Sequence, residues 1–219
     1  MTGRRTLAVL VSGSGSNLQA LLDAAAEPAF PARVGVVLAN VEGILALERA
    51  KLAGVPTVVV PHQAYPGRAA YDAALVAALA PYRPDIACLA GFMRLLGRNF
   101  LTAFPLGVLN IHPALLPSFP GLHAVRQALE HGVKVSGCTV HFVDEGTDTG
   151  PILAQAAVPV LDMDSEATLG ARIQQEEHRL YPLAVRLLAS GVLVRTGRRV
   201  GGGAGPETSR VALLNPGLG

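Results

Sequence analysis

The chain contains no tryptophan, two cysteines and only 5% aromatic residues, and charged residues make up 16% of its 219 positions. Two cysteines are too few for a disulfide framework or a cysteine-rich metal site. Cys88 and Cys138 sit in the apolar stretches IACLAG and SGCTVHF, where a thiol behaves as a small hydrophobe. Net charge is +2, with basic and acidic residues mixed along most of the chain. A surface that tracks phosphates needs clustered Lys and Arg, so no nucleic-acid partner is expected. The one basic cluster, Arg195, Arg198 and Arg199, precedes a Gly-rich run, and 196–219 reads as a flexible tail. No apolar run approaches the roughly 20 residues of a membrane span. Two arginines precede the apolar run Leu7 to Val11, but that run is too short for a signal peptide and leads straight into a Gly/Ser turn. The expectation is a soluble, cytoplasmic protein with no membrane partner.

Half of the residues are hydrophobic, ample for one well-buried domain or two small ones. Short β-rich runs alternate with helical stretches, the pattern of a parallel sheet with helices on both faces. Strands are expected at 6–11, 33–39, 55–60, 85–91 and 107–112. Helices are expected at Ser16 to Ala26 with Ser16 as cap, at Gly43 to Ala53 with Gly54 as stop signal, and at Arg68 to Ala80. Beyond residue 112 the texture changes. A Pro-rich connection leads to a short helix (His123 to His131), then two longer strands (134–143 and 151–160) pair as a hairpin. A helix follows from Ser165 to about Ala189, kinked or restarted by Pro182. The fold class is α/β: a Rossmann-like, mostly parallel twisted sheet flanked by helices, with an antiparallel pair in the second half. It forms one domain over 1–195, split near residue 112.

Ligands in such sheets collect outside the carboxyl ends of the strands. VSGSGSNLQA joins the first strand to the first helix there, and its glycines let backbone amides face an anion at the helix start. The third glycine of a dinucleotide fingerprint is absent, Leu18 standing in its place, and no Walker lysine follows. A single phosphate is the better fit, although an ordinary tight turn has the same look.

The most informative segment is LNIHPALLPSFPG. Asn110 and His112, two apart at a strand end, point to one side of the sheet, and Pro113 breaks the strand, leaving His112 at the rim. An Asn amide can donate to a developing oxyanion, and a His can donate or shuttle a proton. With no recognisable nucleophile motif, direct attack on an acyl carbon is the chemistry they suit. The loop DEGTDTGP carries three carboxylates, Asp144, Glu145 and Asp148, at a spacing that is not an EF-hand's. One carboxylate beside a His would orient it and favour its charged form; the residues alone do not select which. His141 reads as a packed, half-buried strand residue, and His62 and His131 as surface residues.

GSGSNLQ, LAGFMRLL, LNIHPALLP, FPGLHAVRQAL, GCTVHFV with its DEGTDTGP loop, and QEEHRLYP occur in an order and spacing that resembles the phosphoribosylglycinamide formyltransferase family, over about residues 6–195. The resemblance implies the formyltransferase fold and transfer of a formyl group from the co-substrate 10-formyltetrahydrofolate to the amine of glycinamide ribonucleotide, in de novo purine synthesis. Small-molecule substrates, a monomer or homodimer and no metal go with it. It implies that Asn110, His112 and Asp148 are catalytic, with Asp148 orienting His112. Gly15, Ser16 and Asn17 would hold the phosphate, with Gln174 and Glu177 on the nucleotide side. Arg68, the Met93, Arg94, Leu95, Leu96 segment, Asn110 and the loop Asp144, Glu145, Gly146, Thr147, Asp148 would meet the folate. Two positions depart from the family pattern: Ala114 stands where Ser is usual, implying altered local hydrogen bonding, and Ser118 stands where some members have Lys. Rival expectations are a methionyl-tRNA formyltransferase, which needs a further basic domain, a formyl-folate hydrolase, which has an N-terminal regulatory domain, and a non-catalytic binding module.

Overall fold

The computed structural model describes residues 3–202. Seven strands form one sheet in the order β3-β2-β1-β4-β5-β6-β7. β1 (Arg5–Val11), β2 (Ala32–Ala39), β3 (Thr57–Val59), β4 (Ile86–Leu89) and β5 (Val108–His112) pair in parallel. β6 (Val135–Phe142) reverses direction against β5, and β7 (Ile152–Pro159) pairs antiparallel with β6. The expected α/β class and strand pair are both present. The α1 (Ser16–Ala26), α2 (Leu45–Leu52), α3 (Arg68–Leu79) and α5 (Ala124–Glu130) helices lie where expected, and a one-turn α4 (Arg98–Leu101) is additional.

Alternation along doubly covered strands builds two cores. Leu7, Val9 and Val11 of β1, with Val37, Ile86 and Cys88, pack under α1, α2 and α6 (Glu166–Ala189). Ala8 and Leu10, with Val36, Leu38 and Leu89, pack under α3 and α4. α6 opens on a capping box between Ser165 and Thr168 and continues through Pro182 without restarting. No helix among the described residues is long and apolar enough to cross a membrane.

Two expectations need correction. Ser16 does not cap α1. The N-cap is Gly15, at φ 73°, and a Cβ there would lie 2.7 Å from Ala46 Cβ. Only glycine combines that left-handed backbone with so close an approach of α2. Nor does a loose tail begin at 196. β8 (Val194–Thr196) and β9 (Arg199–Gly201) form a hairpin, with the Arg195 guanidinium over the Phe142 ring and Arg198 Nη2 donating to Thr149 O at 3.0 Å. Those contacts are far apart in sequence, which is why a Gly- and Arg-rich stretch looked unstructured. The rest of the expected tail, 203–219, lies outside the described residues.

Candidate active site

The sheet changes connection direction between β1 and β4, and the turns leaving these two strands flank that crevice. After β1, the Ser12–Gly15 turn leads into α1, whose first backbone bond runs from Gln19 N to Gly15 O. The amides of Ser16, Asn17 and Leu18 are therefore free of helical partners. Around them, Arg49 Nε donates to Ser14 O at 3.0 Å and Gln174 Nε2 donates to Ser16 Oγ at 3.1 Å. Asn17 Nδ2 donates to Glu177 Oε2 at 2.9 Å. The fold thus brings Gln174 and Glu177, near the middle of α6, onto the start of α1. Burial pushes the Glu177 carboxyl above the usual range, against the opposing pull of the Asn17 bond and the His112 charge.

Asn110 and His112 face the same side of β5, and the β5–β6 register places His141 opposite Asn110 and Thr139 opposite His112. Asn110 Nδ2 lies 3.2 Å from His141 Nε2. Asp148 reaches both imidazoles, with Oδ2 at 3.4 Å from His112 Nδ1 and Oδ1 at 3.5 Å from His141 Nε2, while Gly121 N donates to Oδ2 at 2.8 Å. Burial alone would raise the Asp148 carboxyl. The His141 hydrogen bond, the Gly121 amide and the charges of both imidazoles outweigh it and hold the group below the usual carboxylate range. Of the three loop carboxylates only Asp148 meets a histidine; Asp144 Oδ1 instead accepts from Gly146 N and Thr149 Oγ1 within its own loop.

His112 is not at an open rim. It is 5% exposed, because the 113–121 connection folds back and sets Phe119 O 2.8 Å from Nε2. Nε2 therefore carries a proton aimed at that carbonyl, and a ring protonated on both nitrogens donates to Phe119 O and Asp148 together. The connection is held by Thr139, whose hydroxyl donates to Ala114 O at 2.7 Å and accepts from Leu116 N at 3.0 Å. Those two bonds use backbone groups of the turn and a side chain of β6, so they do not depend on a side chain at 114. His141 is the residue that sequence reasoning underrated. It is fully buried, bonds Phe142 O through Nδ1 at 2.9 Å, and bridges Asn110 to Asp148. A strand covered on both faces shows no alternation to mark such a residue; only the pairing of β6 with β5 does.

After β4, residues 90–97 carry the Met93–Leu96 segment. Met93 and Leu95 are each 64% exposed, while Leu96 is buried among the α3-side core. Arg68, at the first turn of α3, lies beside Gly97, its Nε 3.6 Å from where a Cβ on that glycine would stand.

Residues 5–185 match the profile of the formyl transferase family. The chain is 53% identical to the phosphoribosylglycinamide formyltransferase of Mycobacterium tuberculosis (strain ATCC 25618 / H37Rv) over 192 residues, 88% of either chain. It is 52% identical over 194 residues to the trifunctional purine biosynthetic protein adenosine-3 of Drosophila pseudoobscura pseudoobscura. That match covers 88% of this chain and 14% of the fly protein, so the chain spans about a seventh of that relative's length. The crystal structure of glycinamide ribonucleotide transformylase 1 from Symbiobacterium toebii superposes with a TM-score of 0.89 at 56% identity, covering 91% of this chain and 94% of that one.

Proposed function

The chain belongs to the formyl transferase family, and from that premise we propose that it moves a formyl group from 10-formyltetrahydrofolate to the amine of glycinamide ribonucleotide, a step of de novo purine synthesis. The observation that carries this reading is the Asn110–His112–His141–Asp148 cluster, two donors on one strand face backed by a single half-buried carboxylate. Acyl transfer to an amine needs donors where negative charge develops and a route for one proton. The free amides at the start of α1 suit the nucleotide's phosphate, with Gln174 and Glu177 beside it. The exposed segment from Met93, with Arg68, the loop 144–148 and Asn110, suits the reduced folate.

The donor supplies an already activated formyl carbon, bonded to N10. Asn110 Nδ2 donates to the carbonyl oxygen as the amine adds to that carbon. His112 Nε2 donates to the same oxygen in the direction that Phe119 O now occupies, and Asp148 holds the ring in that orientation and stabilises its positive charge. When the C–N10 bond breaks, the proton lost by the amine passes to N10 by way of His112 or water. Holding amine and carbon together contributes several kcal/mol of barrier reduction on the scale of well-oriented reactions, up to about 7–11 kcal/mol.

The test is to mix purified protein with 10-formyltetrahydrofolate and glycinamide ribonucleotide and follow release of tetrahydrofolate. Release only when the nucleotide is present is expected. Release without it identifies a hydrolase, and no release with either refutes the reading.

A further inference from the structure

Met93 to Gly97 is an irregular stretch between β4 and α4 whose inner backbone is unspoken for. Among the described residues, the amides and carbonyls of Arg94, Leu95 and Leu96 bond to no other part of the backbone. Such a stretch keeps one shape only if something else holds it. Two side chains do, one at each end. Met93 N donates to Ser12 Oγ at 3.0 Å, and that hydroxyl donates in turn to Asn40 Oδ1 at 2.7 Å. Gly97 N donates to Asp72 Oδ2 at 2.7 Å. Asp72 sits on the inner face of α3, 2% exposed, an unusual place for a carboxylate, and its Oδ1 is buried with no hydrogen-bond partner. Gly97 is required for this contact, since a Cβ would lie 2.7 Å from Oδ2. Burial pushes the Asp72 carboxyl above the usual carboxylate range, against the opposing pull of the Gly97 amide and of the charge on Arg68, which stands one helical turn before it on the same side of α3.

We propose that Asp72 is a positioning residue for the formyl donor: together with Ser12 it clamps the 93–97 segment from both ends. The clamp fixes the free backbone groups of 94–96 in one array that the donor's heterocycle reads. A core serves stability equally well with an apolar residue at 72; a buried carboxylate with one oxygen on the Gly97 amide is explained by the segment it aligns. The proposal rests on the functional reading above for the identity of the ligand, not for the clamp itself.

The experiment is a titration of wild type, Asp72→Ala and Asp72→Asn with tetrahydrofolate and, separately, with glycinamide ribonucleotide, alongside steady-state kinetics. Loss of a hydrogen bond to a charged group predicts that Asp72→Ala raises the Kd for the reduced folate and the KM for its formyl form by about tenfold or more. Asp72→Asn keeps an acceptor for the Gly97 amide and recovers most of that loss. The nucleotide Kd stays at the wild-type value in both, as does kcat at saturating donor to within about threefold. Exchange of the Gly97 amide, the one that Asp72 holds, quickens selectively in Asp72→Ala; if that variant does not fold, Gly97→Ala attacks the same contact from the other side. Unchanged donor affinity in the variants, or equal losses for both ligands, overturns the clamp. A wild-type protein that takes up no reduced folate instead overturns the functional reading.

Discussion

Replacing Asp148 by Asn removes a negative charge and little else. The backbone there is left-handed, φ 54°, a conformation that Asn tolerates as well as Asp does. The Asn carbonyl can accept from Gly121 N where Oδ2 now does, and its amide can donate to His141 Nε2 where Oδ1 now lies. What disappears is the charge that stands 3.4 Å from His112 Nδ1. The expected result is a folded protein with both substrate affinities nearly intact and kcat lowered by about 10²–10⁴-fold, the range for impaired acid–base groups. That is about 3–5 kcal/mol of transition-state stabilisation. Initial rates with both substrates saturating measure it. Stability adds a second signature. The folded carboxyl releases its proton at lower pH than the unfolded one, so its contribution is present above the ordinary carboxylate pKa of about 3.9 and is lost as pH falls through the lower folded value. Wild type should therefore exceed Asp148→Asn in stability above about pH 4, and the gap should close as pH falls below it. Turnover within threefold of wild type refutes the role given to Asp148.

Asn110 has no titrating proton, so Asn110→Ala should lose about 10²–10³-fold in kcat yet keep the acidic limb of the pH–rate profile. His112→Ala should lose as much or more and flatten or move that limb; an unchanged limb demotes His112 to a support. Gly15→Ala puts a side chain at φ 73° against Ala46 and should cost at least about 1–2 kcal/mol in a urea melt while weakening nucleotide binding; wild-type stability contradicts the packing described. Glu177→Gln keeps an acceptor for Asn17 but removes a carboxyl that burial holds above its usual range. A raised folded pKa means that ionisation costs stability as pH rises past about 4.3, so the variant should match or exceed the wild-type Tm at pH 7, with the difference gone below about pH 4. Calorimetry on the same samples should show weaker nucleotide binding, and a lower Tm at pH 7 counts against the shift.

Much of this was legible in the residues. Asn110 and His112 were visible because a proline directly after His112 ends the strand and a period of two puts both on one face. The β1 turn was visible because its glycines and serines stand between an apolar run and a helical period. What was misread depended on approach in space. Ser16 is a good cap by preference, but the cap position belongs to Gly15 because Ala46 of α2 comes within contact of it. The choice among Asp144, Glu145 and Asp148 rested on the family resemblance, since nothing local distinguishes them; the β6–β7 connection turns only Asp148 toward the histidines. His112 was expected in the open because a proline exposes a strand end, yet the chain beyond it returns and covers the ring with Phe119 O. The hairpin at 194–201 was missed for a related reason. Its partners, Phe142 and Thr149, lie about fifty residues earlier, and its own composition advertises a loop.

The Ser12 hydroxyl belongs to the turn that opens α1, yet the amide of Met93 hangs from it. An anion that orders the turn therefore also orders the residue on which the 93–97 segment begins. Order already imposed by a first ligand need not be imposed again by a second, so on the functional reading proposed above the expected relation between the two ligands is cooperative without any change of shape. Equilibrium linkage would make that exchange symmetric: any factor by which a bound nucleotide tightened the reduced folate would equal the factor by which the folate tightened the nucleotide.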